Sequence, residues 1–290
     1  MKRPDAQSKS SRWTRRELLR ATLAAGASCM LPAVAGANAK QPLRRTIPRS
    51  GEQLPAVGLG TWQVFDVGSA PAERAGPRAV LKRFVELGGA VIDSSPMYGE
   101  SETVVGDLAA ELGARKSLFM ATKVWTDGRE AGIRQMETSL QRLRAPKLDL
   151  MQVHNLVDWK THLMTLRAWK EQGRVRYLGI THYTESAYGE LERVMRAEKL
   201  EFVQLNYSIV SRTAEQRLLP LAQELGIAVL VNRPFEKSGL FGKVRDKALP
   251  PWAAEFDCGS WAQFFLKFIL SHPAVTCAIP ATSKVKHLED

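Results

Sequence analysis

Cysteine is scarce: three residues in 290, at positions 29, 258 and 277. So few, so unevenly spaced, exclude a disulfide framework and a Cys-type zinc site, and no metal is expected. Long apolar runs are missing too. The stretch Ala21 to Leu31 is too short and too rich in Ala and Gly for a membrane span, so no stable span is expected in the mature chain. No G-x-G-x-x-G follows the first strand-like segment, which argues against a Rossmann nucleotide domain. What is present, 44% hydrophobic, 24% charged and 8% aromatic residues, is a globular composition. A chain of this length can bury one large core.

Negative charge is in deficit, with 30 Asp and Glu against 41 Lys and Arg. The excess is not spread evenly. Residues 1–39 hold seven basic and two acidic side chains, and Lys40, Arg44, Arg45 and Arg49 follow; from 50 onward 30 basic residues face 28 acidic ones. The folded body is thus nearly balanced, and a nucleic-acid partner is not expected. Thr14-Arg15-Arg16-Glu17-Leu18-Leu19 leads into Ala21 to Leu31, a charged segment followed by an apolar one, with Ala35-Gly36-Ala37 and Ala37-Asn38-Ala39 as small-x-small cleavage sites. The paired arginines before two leucines look like a twin-arginine signal, implying a bacterial protein delivered folded to the periplasm by its translocon. An ordinary secretory signal and a lipid-attachment box ending at Cys29 are the other readings, the latter disfavoured by Gly26. The chain divides into a signal over 1–39, a linker over 40–45 and a single domain over 46–290.

From residue 57 short β-branched runs alternate with amphipathic stretches. The strands are expected at Val57 to Gly60, Ala90 to Ser94, Leu118 to Val124, Leu148 to His154, Tyr177 to Thr181, Phe202 to Asn206, Ala228 to Asn232 and Val275 to Pro280. Between them Val80, Phe84 and Leu87, then Ile133, Met136, Leu140 and Leu143, then Leu218, Leu221 and Leu225 mark apolar helix faces. Gly88-Gly89, Gly173 and Gly226 stand where those helices should stop. Eight such units predict an α/β fold, a closed (β/α)8 TIM barrel, preceded by a β-hairpin in which Thr46-Ile47-Pro48 and Gln53-Leu54-Pro55 flank Ser50-Gly51. Only Lys284 to Asp290 follow the eighth strand, so the last helix is expected to be truncated.

Barrel active sites lie at the C-terminal strand ends. Asp93 ends the second strand, with Tyr98 in the loop after it; Lys123 closes the third and His154 the fourth, each behind an apolar run. A buried carboxylate and ammonium at successive strand ends need each other. From these residues alone a Schiff-base aldolase using Lys123 stays open.

These positions resemble the aldo-keto reductase family. Gly58-Leu59-Gly60-Thr61-Trp62, Asp93-Ser94-Ser95-Pro96-Met97-Tyr98-Gly99, Ala121-Thr122-Lys123, Asp149 to His154 and Ile279-Pro280-Ala281-Thr282-Ser283 carry the likeness over 46–290. It implies an oxidoreductase that reduces aldehydes or ketones to alcohols with NADPH, NADH being possible. Tyr98 would be the general acid, acidified by Lys123; Asp93 would hold Lys123, and His154 would orient a small carbonyl substrate. Gly60, Thr61, Trp62, Gln204, Thr181 and His182 are implied at the cofactor, the last two where the family more often has Ser and Asn. Asn232 stands in place of an aromatic that often stacks on the nicotinamide, a loss that Arg233 or Phe235 could offset. Lys237, Gly239 and Leu240 are implied at the pyrophosphate, and Thr282, Ser283, Lys284 and His287 at the adenosine 2′-phosphate. Trp62, Met97 and Trp125 would wall the substrate pocket. A nucleotide-binding redox sensor with slow turnover is the other function this leaves open.

Overall fold

A computed structural model describes residues 42–290; the signal segment over 1–39 and the start of the linker lie outside the described residues. The chain opens with an antiparallel hairpin, β1 (Arg44–Thr46) and β2 (Gln53–Pro55), in which Thr46 faces Gln53. The first strand starts two residues before the expected one, so Arg44 and Arg45 belong to the hairpin. Gly51, at φ 76°, makes the turn that a side chain would resist.

Eight parallel strands follow in unbroken order: β3 (Leu59–Gly60), β4 (Val91–Asp93), β5 (Phe119–Val124), β6 (Leu148–His154), β7 (Val175–His182), β8 (Phe202–Asn206), β9 (Ala228–Asn232) and β10 (Val275–Ala278). The two ends of this sheet also meet. Val57 bridges Ala278 in parallel, Gly58 N–H donates to the Ala278 carbonyl at 2.8 Å, and Gly60 N–H donates to that of Pro280 at 2.8 Å. Those bonds close the barrel and leave no strand edge. Gly60 must lack a side chain at this seam, because a Cβ there would lie 2.9 Å from the Ile279 carbonyl.

The outer layer comprises α1 (Pro71–Glu86), α2 (Ser101–Glu111), α3 (Arg129–Arg142), α4 (Trp159–Glu171), α5 (Tyr188–Ala197), α6 (Leu218–Leu225), α7 (Gly239–Val244), α8 (Trp261–Ser271) and α9 (Val285–Glu289). Val80, Phe84, Met136, Leu218 and Leu221 are buried as their spacing requires. Leu87 is not: it caps the C-terminus of α1 and is 39% exposed, because the helical period ends there and Gly88 turns away with φ 81°. None of the described helices is long and apolar enough to cross a membrane.

Alternation along the strands sorts the core into two shells. Val91, Phe119, Ala121, Leu150, Tyr177, Phe202, Ala228, Leu230, Cys277 and Ile279 fill the barrel interior, with Ile47 and Leu54 of the hairpin closing its floor. Phe119, Tyr177 and Phe202 pack ring on ring there, with centroids 5.5 to 6.0 Å apart. The intervening residues, among them Ile92, Met120, Met151, Val203 and Val229, face the helices. Continuing the inward parity toward the C-terminal ends gives Asp93, Lys123, Gln152, His154, Thr181, Gln204 and Asn232. The same two-residue period that builds the apolar floor therefore aims a ring of polar side chains at the opposite mouth.

Candidate active site

Lys123 is fully buried, and its ammonium donates to Asp93 Oδ2 at 2.7 Å and to the Ser94 carbonyl at 2.6 Å. The other oxygen of Asp93 accepts from Gln204 Nε2 at 2.9 Å and Gln152 Nε2 at 3.3 Å. Gln204 in turn accepts from the Thr181 hydroxyl at 3.3 Å and from Asn232 Nδ2 at 3.4 Å. Burial works to lower the Lys123 pKa, but the Asp93 carboxylate and the Tyr98 hydroxyl outweigh it, and the net shift is upward. The group is an ammonium at neutral pH.

That ammonium lies 4.8 Å from the centre of the Tyr98 ring. Burial lifts the Tyr98 pKa above that of a free phenol, and Lys123 offsets only part of the rise. An acidified phenol was expected; desolvation reverses the sign, so the hydroxyl is held as a proton donor while the adjacent cation favours the phenolate formed after donation. The His154 ring meets the Tyr98 ring edge-on at 6.1 Å. Its Nδ1 lies 3.1 Å from Ser95 Oγ, and Met97 N–H donates to the same oxygen at 3.4 Å. Where the serine hydroxyl donates to Nδ1, the ring proton sits on Nε2, the tautomer that can donate toward the cavity. Burial, then the charge of Lys123, pushes the His154 pKa down to about 2, so this imidazole is neutral.

Above these groups opens a cavity of about 400 Å³. Of the predicted residues it brings together Gly60, Thr61, Trp62, Asp93, Met97, Tyr98, His154, Thr181, Gln204, Asn232, Arg233, Phe235 and Lys237. Lys123 lies beneath them. Trp125 stands beside the lining, its indole 6.4 Å from the His154 ring. His182 stacks on Tyr183 at 5.6 Å, behind the wall. Gly239 starts α7, and the Leu240 side chain packs inward, 2% exposed. Thr282, Ser283, Lys284 and His287 lie outside the cavity in the last loop and α9. Phe235 turns its ring onto Phe241, 4.9 Å away, whereas the Arg233 guanidinium lies over the Tyr183 ring at 4.2 Å. Lys237 sits 5.0 Å above Trp62. Two cations, each on an aromatic face, flank the mouth. Gln63, Asn155, Leu156, Arg233, Lys237 and Ser238, in the loops after β3, β6 and β9, all take φ between 50° and 71°. Such backbone is held only where surrounding structure over-determines it.

Sequence reasoning missed Ser95, Gln152 and Tyr183. Gln152 carried a signal, a polar residue two positions before His154 in an otherwise apolar strand. Ser95 and Tyr183 carried none, because their partners are set by the fold.

A family model for the aldo/keto reductase family matches residues 56–290. The chain belongs to the aldo/keto reductase family. Methylglyoxal reductase YeaE of Escherichia coli K12 is 30% identical over 254 residues, covering 85% of this chain and 87% of that protein. Among solved structures, an aldo/keto reductase from Klebsiella pneumoniae in complex with NADP and acetate superposes with a TM-score of 0.70 at 27% identity, covering 82% of this chain and 85% of that one. A second from the same organism, in complex with NADPH, gives 0.72 at 25% identity, covering 85% and 87%. Membership makes the chain an oxidoreductase of carbonyl compounds.

The residues at the mouth fit a nicotinamide nucleotide. Asn232 Oδ1 is buried and unpartnered among the described residues, an acceptor for an amide N–H, and Arg233 and Lys237 supply charge for phosphates.

Proposed function

We propose that this protein reduces small aldehydes or ketones to alcohols with NADPH, with Tyr98 as the general acid. The observation that carries the reading is the buried Lys123–Asp93 pair set against the Tyr98 ring and the neutral His154 imidazole at one mouth. Thr181, Gln204 and Asn232 would hold the nicotinamide amide, and Arg233 and Lys237 the phosphates; when bound, the nucleotide supplies the hydride. Tyr98 donates its proton to the carbonyl oxygen. Lys123, kept charged by Asp93, stabilises the phenolate left behind, and Gln204 and Gln152 keep Asp93 in place. His154, neutral with its proton on Nε2, donates a hydrogen bond to the same carbonyl oxygen and orients it. The non-reacting part of the substrate packs between Trp62 and Met97.

The Schiff-base reading is disfavoured because the Lys123 ammonium is wholly buried and already donates to Asp93 Oδ2 and the Ser94 carbonyl. The twin-arginine segment would deliver the folded enzyme to the periplasm.

NADPH oxidation by purified protein, run against an aldehyde panel that includes methylglyoxal, tests the activity. Tyr98→Phe should lower the turnover rate by about 10² to 10⁴ with nucleotide affinity nearly unchanged, because the hydroxyl moves a proton and does not hold the nucleotide. Turnover above half that of the parent on every substrate would remove Tyr98 from the role. Nucleotide retained through purification together with negligible turnover would favour the sensor reading.

A further inference from the structure

The loop over residues 125–128 leads from β5 to α3 and carries Trp125 beside the catalytic imidazole. Side chains from two helices hold its backbone. Gln135 of α3 uses both ends of its carboxamide on one residue: Trp125 N–H donates to Oε1 at 2.5 Å, and Nε2 donates to the Trp125 carbonyl at 3.1 Å. His162 of α4 donates through Nε2 to the Thr126 carbonyl at 2.6 Å. Gly128 N–H donates to Asp158 Oδ2 at 2.9 Å. The His162 ring is wholly buried and seated against Gly132, where a Cβ would come within 2.4 Å of it.

Of these clamps, only Gln135 grips the residue that carries the indole. Pairing both the N–H and the C=O of one residue fixes its two backbone dihedrals, as a strand neighbour would, and so fixes where the indole stands. That indole is 42% exposed and tilted against the His154 ring, 6.4 Å away. We propose that Gln135 is a positioning residue for substrate selection. Through Trp125 it sets the rim against which the non-reacting part of a bulky carbonyl substrate packs. This rests on the carbonyl-reductase reading above.

Gln135→Met keeps the length of the side chain and loses both hydrogen bonds. With NADPH saturating, it should raise KM for a large aromatic aldehyde such as 2-naphthaldehyde by about tenfold, the equivalent of one to two hydrogen bonds. The kcat for that aldehyde, and both constants for methylglyoxal, should stay within about twofold of the parent, since the reacting groups are untouched. On a Trp125→Ala background the same substitution should add nothing. Gln135→Glu, which keeps an acceptor for Trp125 N–H, should recover part of the KM loss. Equal effects on both aldehydes, or an effect that persists without the indole, would overturn the proposal. Amide hydrogen exchange over 125–128 separates its failure from that of the parent reading. Faster exchange at Trp125 in Gln135→Met supports the clamp even in a protein that reduces no carbonyl, and unchanged exchange defeats it.

Discussion

At the level of single residues, the site depends on one buried charge pair and one buried neutral base. Asp93 is 3% exposed and Lys123 fully buried, so removing either leaves the other charge stranded at a cost of about 3 to 5 kcal/mol. Asp93→Asn and Lys123→Met should each lower the urea midpoint more than the double variant does; a double variant less stable than either single would overturn the pairing argument. Lys123→Met should also slow reduction, by removing the cation that favours the phenolate. His154 couples stability to pH. Its folded pKa of about 2 lies below the ordinary 6.5, so between these values the unfolded chain takes up a proton that the folded chain refuses. Stability should therefore fall as pH drops through 6.5, by roughly 2 kcal/mol at pH 5 from this group. Urea unfolding at pH 5 and 7 should show a smaller loss for His154→Asn; an identical loss would mean that the imidazole charges freely in the folded state.

The elements were legible because each is defined by a short-range period. The run Phe119-Met120-Ala121-Thr122-Lys123 fixes a strand, and its alternation fixes Lys123 on the same face as Phe119, whatever surrounds it. The ends of α1, α4 and α6 followed from Gly88, Gly173 and Gly226, and Leu87 was misplaced because its spacing continues a face that the chain itself no longer follows. How closely elements approach is a different matter. At Gly106 in α2 a Cβ would lie 2.1 Å from the Arg142 carbonyl and 2.8 Å from the Leu143 backbone. Backbone cannot yield there as a flexible side chain can. Gly106→Ala should therefore push α2 and α3 apart and cost about 1 to 3 kcal/mol, despite the better helix propensity of alanine. A thermal midpoint equal to that of the parent would count against so tight a contact.

For the molecule as a whole, closure makes the chemistry possible. Asp93 and Gln204 are 111 residues apart and meet across the mouth of a barrel closed where Gly58 and Gly60 bond the carbonyls of Ala278 and Pro280. A twin-arginine route would carry a finished barrel. Bound nucleotide stabilises a folded cargo by about 2.7 kcal/mol at 100 times its dissociation constant. Mature protein recovered from the periplasm should carry some NADP(H), and replacing Arg15 and Arg16 by Lys should hold the precursor inside the cell. Export that continues in that variant, followed by fractionation and immunoblotting, would remove the localisation reading and leave the catalytic one intact.

The sequence by itself determined the eight strands, the hairpin before them and the places of Asp93, Lys123 and His154 at strand ends with Tyr98 in the loop after the second, because strand period, helix period and position along the chain are local properties. The tertiary structure decided which atoms those residues face. Ser95 pairs with His154 Nδ1, Gln152 and Gln204 brace Asp93, Tyr183 receives Arg233, and Phe235 packs on Phe241. It also reversed the expected shift of Tyr98, because the cost of burying a phenolate depends on every neighbour that displaces water, and no segment of the chain contains those neighbours until the barrel closes.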